Sequence, residues 1–312
     1  MMHWIKTLLA VSAISLVAAC GSDDDDVVVP TKNIVETAQS LPQFSILVEA
    51  VTAAGLASTL SGPGPFTVFA PTNDAFAALL TELGVTKDQL LADTVLLTAV
   101  LTYHALPAQV KAAEVPLGKA VTTAQGGVFK VDSTAGKLVI TDERNRTSNI
   151  TATDVMATNG VIHVIDKVIL PADKTIVATA QSLPQFSILV EAVVAAGLVD
   201  ALNGTGPLTV FAPTNDAFAA LLTELGVTKD QLLADTALLT AVLTYHVVDG
   251  RVMKADVPLN TPIKTLQSGT FTVDSSLAIT DQRMRKASIV GTDVLASNGV
   301  IHVIDKVILP AP

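Results

Sequence analysis

Histidines, carboxylates, hydroxyls and one thiol are the groups with which this chain of 312 residues could do chemistry. Besides His3 there are four histidines in matched pairs. His104 and His246 each follow a tyrosine, and His163 and His302 each sit in the run Val-Ile-His-Val-Ile. A zinc centre needs three or four His, Cys or carboxylate ligands, some at short spacing. His104 and His163 lie 59 residues apart, with no cysteine and no evident third ligand beside them, so no metal is expected. Hydrolysis or phosphoryl transfer would need a nucleophile paired with a base, a glycine loop for phosphate or a His-Glu-x-x-His helix. None of these patterns occurs. Asp166 and Asp305 follow strand-like runs, but each stands alone beside a lysine, Lys167 or Lys306, as in a surface ion pair. These residues describe a protein that is not an enzyme and calls for no cofactor.

The thiol belongs to other chemistry. Met1 to Lys6 is short and basic, Thr7 to Val17 is apolar, and small residues follow, the order of an export signal. Leu16-Val17-Ala18-Ala19-Cys20 resembles the lipobox of bacterial lipoproteins, which implies cleavage before Cys20 and lipidation of its sulfur. Cys20 is the single cysteine, so no intramolecular disulfide can form. Three acyl chains, as the resemblance implies, would make a lasting anchor, because two already hold a protein on a bilayer. Gly21 and Ser22, rather than an aspartate, follow the cysteine, which favours the outer membrane or cell surface, with the periplasmic face as the other possibility. Asp23 to Asp26 repel one another and read as a solvated tether; a calcium loop is the other reading, but no glycine turn gathers them.

Composition narrows the partners. Removing residues 1–19 leaves 18 basic against 29 acidic residues, a net charge of −11. Nucleic acid is therefore not expected as a partner, and contact with the membrane is expected only through the lipid. Hydrophobic residues make up 50% of the chain, enough for an ordinary core in each of two domains.

The elements that must position these residues come in duplicate. Ala38 to His104 aligns with Ala180 to His246, with 59 of 67 positions identical. The shift of 142 residues drops to 139 where Ser133 to Leu138 shortens to Ser275 to Leu277, a deletion suited to a hairpin tip. Between the matched blocks, Ala105 to Asn149 and Val247 to Ser288 have diverged, and distinct work by the two units is expected there. The domain reading is 1–19 signal, 20–30 lipidated cysteine and tether, 31–171 first unit and 172–312 second unit. A join as short as Pro171-Ala172-Asp173 implies units that touch or hold a restricted angle.

Within a unit, Pro42 and the spacing of Phe44, Leu47, Val48 and Val51 predict an amphipathic helix closed by Gly55. Phe66 to Ala70 reads as a strand, Thr72-Asn73-Asp74 as a cap for a helix through Leu83, and Thr86 with Gln89 as a capping box. Asp93-Thr94 opens a helix to Tyr103-His104. Strands follow at 127–132, 137–141, 149–152 and 161–170, the last after an Asn159-Gly160 turn. The class is α+β.

Three segments of each unit resemble the fasciclin domain family in order and spacing: Thr67 to Phe76, Leu101 to Ala105 and Asn159 to Asp166, then Thr209 to Phe218, Leu243 to Val247 and Asn298 to Asp305. The resemblance implies a β-wedge or sandwich with flanking helices, in two tandem copies, and roles in cell adhesion and extracellular matrix. An unknown protein or a matrix or envelope polymer is the implied partner, and a small apolar or glycan ligand in the cell envelope is the alternative. Animal members engage integrins through a tyrosine-histidine motif with neighbouring apolar residues. Leu101, Tyr103, His104 and Leu106, and Leu243, Tyr245 and His246, are the corresponding positions. A second family motif, an Asp-Ile pair, corresponds to Asp154-Val155 and Asp293-Val294, with valine in place of isoleucine in both copies. Beside these readings stand structural ones: caps for Thr72 to Asp74 and Thr214 to Asp216, helix-end bonding with a wet hydroxyl for the Tyr-His pairs, a core hydrogen bond for His163 and His302, and a capped turn for the aspartates.

Overall fold

A computed structural model describes residues 29–312. Cys20, the signal segment and the acidic run Asp23 to Asp26 lie outside the described residues.

The first unit begins with helices α1 (Ile34–Gln39), α2 (Ser45–Ala53) and α3 (Ala57–Ser61), then strand β1 (Phe66–Pro71). Helices α4 (Asn73–Leu83), α5 (Lys87–Ala92) and α6 (Thr94–Tyr103) follow. The rest is β: β2 (Ala105–Leu106), β3 (Ala120–Thr122), β4 (Val128–Thr134), β5 (Lys137–Thr141), β6 (Thr147–Ala157) and β7 (Gly160–Ile165). Caps act where the sequence places them. Thr72 accepts from Ala75 N, Gly84 closes α4 in the left-handed conformation, Thr86 and Gln89 form a full capping box, and Asp93 accepts from Leu96 N. Pro42 starts a 3-10 turn rather than the helix itself, so α2 begins at Ser45, and the separate helix α1 ahead of it was not foreseen.

The seven strands form one sheet in the order β2-β1-β7-β6-β5-β4-β3. β1 and β7 pair in parallel from Phe66 opposite Gly160 to Pro71 opposite Ile165, and both are buried on both faces, which is why each reads as an unbroken apolar run. One face packs against the helices through Phe44, Phe76, Leu97 and Ile162. The other closes on itself around Phe69, Tyr103, Phe129, Ile140 and Ile165, with Phe69 and Phe129 edge to face at 5.0 Å. Ala124 N donates to Ala105 O at 2.8 Å, joining the two sheet edges at one end and leaving a wedge-shaped gap at the other.

β6 is longer than expected: it runs through Asp154-Val155, with irregular register between Ile150 and Val155. The last strand is shorter, stopping at Ile165; the apolar residues Val168, Ile169 and Leu170 are buried as an irregular segment.

The second unit repeats this plan with α7 (Ile176–Gln181), α8 (Ser187–Ala195), α9 (Val199–Leu202), β8 (Leu208–Pro213), α10 (Asn215–Leu225), α11 (Lys229–Ala234) and α12 (Thr236–Tyr245). Its strands are completed by β9 (Val247–Asp249), β10 (Ile263–Lys264), β11 (Thr270–Val273), β12 (Ala278–Thr280), β13 (Lys286–Ala296) and β14 (Gly299–Ile304), again seven in one sheet. No described helix is long and apolar enough to cross a membrane.

Candidate functional site

The Tyr-His pair is a structural clamp. His104 caps the C-terminus of α6, where its Nδ1–H donates to Val100 O at 2.7 Å and its Nε2 accepts from Ile169 N at 3.1 Å. Those partners fix a neutral ring, and burial lowers its pKa to about 4. His246 repeats the arrangement with Val242 O and Ile308 N, its pKa also lowered to about 4 by burial. The tyrosine hydroxyl is not wet. Tyr103 is fully buried; its O–H donates to Val128 O at 2.6 Å and its oxygen accepts from Glu143 N at 3.0 Å. Tyr245 does the same with Thr270 O and Gln282 N. Burial pushes the Tyr103 phenol far above its usual range and that of Tyr245 up to about 12. Leu101, Leu106 and Leu243 are buried with them. The motif therefore holds helix, sheet and hairpin together from within.

His163 stacks obliquely on Phe69, its Nε2–H donating to Val110 O at 2.9 Å and its Nδ1 accepting from Asp154 N at 3.3 Å. His302 has the same partners in Val252 and Asp293. The two aspartates occupy the left-handed region, Asp154 at φ 57° and Asp293 at φ 59°, inside a long strand rather than in a turn before one. This corner aims each carboxylate at the start of a 3-10 turn: Asp154 Oδ1 accepts from Ala112 N and Asp293 Oδ1 from Lys254 N. Their neighbours Val155 and Val294 are half-buried against the helix-side cores.

Asn73 was expected to cap α4. Its amide instead ties that helix to α2, accepting from Ile46 N and donating to Pro42 O and Ser45 Oγ. Asn159 was legible only as a turn residue, yet its amide accepts from Ile34 N and donates to Leu60 O and Gly62 O, pinning three segments; Asn298 repeats this. Asp166 forms no ion pair with Lys167; its carboxylate accepts from Asn149 N, Asn149 Nδ2 and Ser148 Oγ across the β6–β7 end. Asp305 likewise accepts from Ser288 N. Among the described residues, no three His, Cys, Asp or Glu side chains are grouped to hold a metal ion.

The Asp corner of the second unit is where the two units meet. Lys130 on β4 reaches across to Asp293 Oδ2 at 3.1 Å, with side chains only 13% and 3% exposed. Lys130 also pairs with Asp132 at 3.0 Å, and these two carboxylates outweigh the burial that would lower its pKa, so it is held above the ordinary lysine range. Glu143, whose carboxyl burial pushes up, accepts from Val128 N and Ala172 N and faces Arg251 at 3.4 Å. Arg251 Nε is buried there without a partner. Asn145, at φ 60°, reads the Leu295 peptide twice, donating to its oxygen at 3.0 Å and accepting from its nitrogen at 2.7 Å. Val128 and Ala120 pack on Met253, Leu295 and Val300. Lys119 pairs with Asp256, and Arg144 holds the join through Pro171 O and Asp173.

Hollows accompany this geometry on both sides of the sheet. A void of about 30 Å³ lies between helices and sheet in each unit, lined by Val35, Val48, Leu60 and His104 in the first. A larger apolar groove of about 290 Å³ fills the gap between β2 and β3, lined by Phe69, Leu106, Val110, Val121 and Phe129.

A wedge with a Tyr-His clamp, an Asn-Gly pivot and an aspartate corner, built twice, defines one class of domain. The family model for the fasciclin domain matches residues 42–171 and 184–310, and the chain belongs to that family. Transforming growth factor-beta-induced protein ig-h3 of Oryctolagus cuniculus is 33% identical over 256 residues, covering 80% of this chain and 35% of that protein. Periostin of Homo sapiens is 30% identical over 294 residues, covering 92% of this chain and 32% of that protein. The chain thus spans about a third of the length of these animal relatives. Protein sll1483 of Synechocystis is 47% identical over 143 residues, covering 44% of this chain and 73% of that protein. A solved fasciclin domain pair from the insect cell adhesion molecule fasciclin I covers 84% of this chain at 20% identity, with a TM-score of 0.44.

Proposed function

We propose that this chain is an exported, lipid-anchored adhesion or matrix-interaction protein that is not an enzyme and that presents two fasciclin domains in a fixed relation on the cell surface or in the envelope. The observation that carries this reading is how the reactive side chains are spent. All four domain histidines, both tyrosines and the motif aspartates are committed to hydrogen bonds that hold the fold, so each unit offers a surface and not a reacting centre. Membership of the fasciclin family supports the same role. The candidate interaction surface in the first unit is the half-buried Asp154-Val155 corner, because Leu101, Tyr103, His104 and Leu106 are buried in the fold; in the second unit Val294 is half-buried and Asp293 is covered by the joint.

Two experiments test this. Palmitate labelling of wild-type cells should mark the protein and fail with Cys20→Ser; unlabelled wild type refutes the anchor. Lipid-free protein on a surface should retain cells or envelope polymer in proportion to its density, and no retention above an uncoated surface refutes the adhesive role.

A second reading, a bound apolar molecule, is favoured by one feature, the groove between β2 and β3. The matched voids of about 30 Å³ between helices and sheet have room for little more than one water each. Native mass spectrometry of protein purified from its own envelope would show the added mass, and a clean protein mass removes this reading.

A further inference from the structure

The two units meet through different faces, so the contact is heterologous. A sheet face of the first unit, carrying Lys130, Glu143 and Asn145, enters a corner of the second formed by Arg251, Met253, Asp293 and Leu295. Each unit carries both faces. Every chain therefore has an outward copy of each: the entering face of the second unit and the receiving corner of the first. Repeated between chains, a heterologous contact closes into a ring or grows into an open filament, and the outward copies are the faces through which successive chains would join.

The outward copies differ at the residues that make the joint. Thr272, Gln282 and Met284 stand where the entering face has Lys130, Glu143 and Asn145. Gln109, Lys111 and Met156 stand where the receiving corner has Arg251, Met253 and Leu295. We propose that these replacements are the address of the joint: they direct the first unit onto the second within one chain and prevent the same two faces from joining successive chains head to tail.

Three of the exchanges, Thr272, Met284 and Lys111, leave a cost in place of the contact they remove. Asp154 keeps the left-handed corner and the bond to Ala112 N, but opposite it Thr272 would bring no charge, so closing the contact would desolvate a carboxylate without a cation. Met284 has no amide with which to read the Met156 peptide, leaving a donor and an acceptor unpaired. It also occupies the left-handed region at φ 59° with 81% of its surface exposed, where asparagine is the better-suited residue. Lys111 would put an ammonium group where Met253 is fully buried among Val128, Leu295 and Val300. The Glu143–Arg251 pair becomes two uncharged amides. Asp154 itself is only half-buried while Asp293 is covered, as expected of one free corner and one filled one.

The test uses the full lipid-free chain. One variant carries Thr272→Lys, Gln282→Glu and Met284→Asn; the other carries Gln109→Arg, Lys111→Met and Met156→Leu. Each installs residues already at home at the same place in the other unit. In sedimentation experiments wild type and each variant alone should remain monomeric, their equimolar mixture should form one-to-one pairs, and a chain with all six changes should grow into oligomers. Association of the mixed pair should exceed that of wild type by about a hundredfold, the size expected when desolvated charge pairs are restored. Folded variants that do not associate, or wild type that associates as well as the mixture, would overturn the proposal. The reverse change is read independently: Lys130→Thr with Asn145→Met gives the first unit the second unit's face, and should enlarge the radius of gyration and expose Pro171 to Lys174 to protease. Units that stay docked after that change also overturn it.

Discussion

One phenol oxygen in each unit ties the end of a helix to one strand and to one hairpin turn, so its loss is felt in several places. Removing the Tyr103 hydroxyl leaves Val128 O and Glu143 N buried and unpaired, and Tyr103→Phe should lower stability by about 2 kcal/mol in urea unfolding. Tyr245→Phe should cost about half as much, because its second contact is longer at 3.2 Å and its ring end is less enclosed. The buried histidines set a pH dependence. His104 and His246 have pKa values lowered to about 4 in the fold, while the unfolded chain binds their protons from about pH 6.5 downward. Stability is therefore full above about pH 6.5 and declines toward pH 4, by up to roughly 3 kcal/mol for each histidine. His302, also lowered by burial, acts in the same direction. Asp142 and Glu143 act in the opposite one: burial raises their carboxyl pKa values, so the folded chain takes up their protons first and part of the loss is recovered. The urea midpoint should fall between about pH 7 and about pH 4.5, and a His104→Gln, His246→Gln double variant should show a flatter slope over that range whatever its absolute stability.

At the scale of elements, the weak point is the meeting of α1, α3 and the β6–β7 turn. Besides the apolar packing of Ile34, Ala38 and Leu60, Asn159 holds these segments with three bonds, to Ile34 N, Leu60 O and Gly62 O. Asn159→Ala should cost about 3 kcal/mol and release α1 first, seen as faster amide exchange at Ile34 to Gln39 than in the β1–β7 pair. The neighbouring glycine serves close approach: a Cβ on Gly160 would lie 2.0 Å from Phe66 O, so Gly160→Ala must push β1 away from β7. Helices α4, α5 and α6 were legible because their caps and spacing are local signals. The short strands β2 and β3 were not. At two and three residues they are defined only by the neighbours that pair with them, and β6 was cut short because Thr151, Ala152 and Thr153 are all exposed around an irregular register, which breaks the alternation of a strand.

For the whole molecule, the joint decides the shape. Its ion pairs are partly buried and framed by Val128, Met253, Leu295 and Val300, so salt should screen them less than exposed pairs such as Lys87–Glu49. The radius of gyration should stay constant by X-ray scattering between roughly 0.05 and 0.5 M salt; a swing to larger values would mean that charge alone holds the units. The divergence of 105–149 from 247–288 takes on a definite meaning in this light. Lys119, Lys130, Glu143, Asn145, Arg251 and Met253 all fall in those stretches, and all of them contact the other unit.

The sequence by itself determined the duplication, the family, the helix caps and the β-rich second half of each unit, because these rest on local propensity, periodicity and short motifs. Tertiary structure alone decided that the tyrosine hydroxyls are buried, that Asn159 pins three segments and that Asp293 lies beneath a lysine of the other unit. Those facts depend on partners 25 to 163 residues away in the chain, a separation at which side-chain spacing carries no signal.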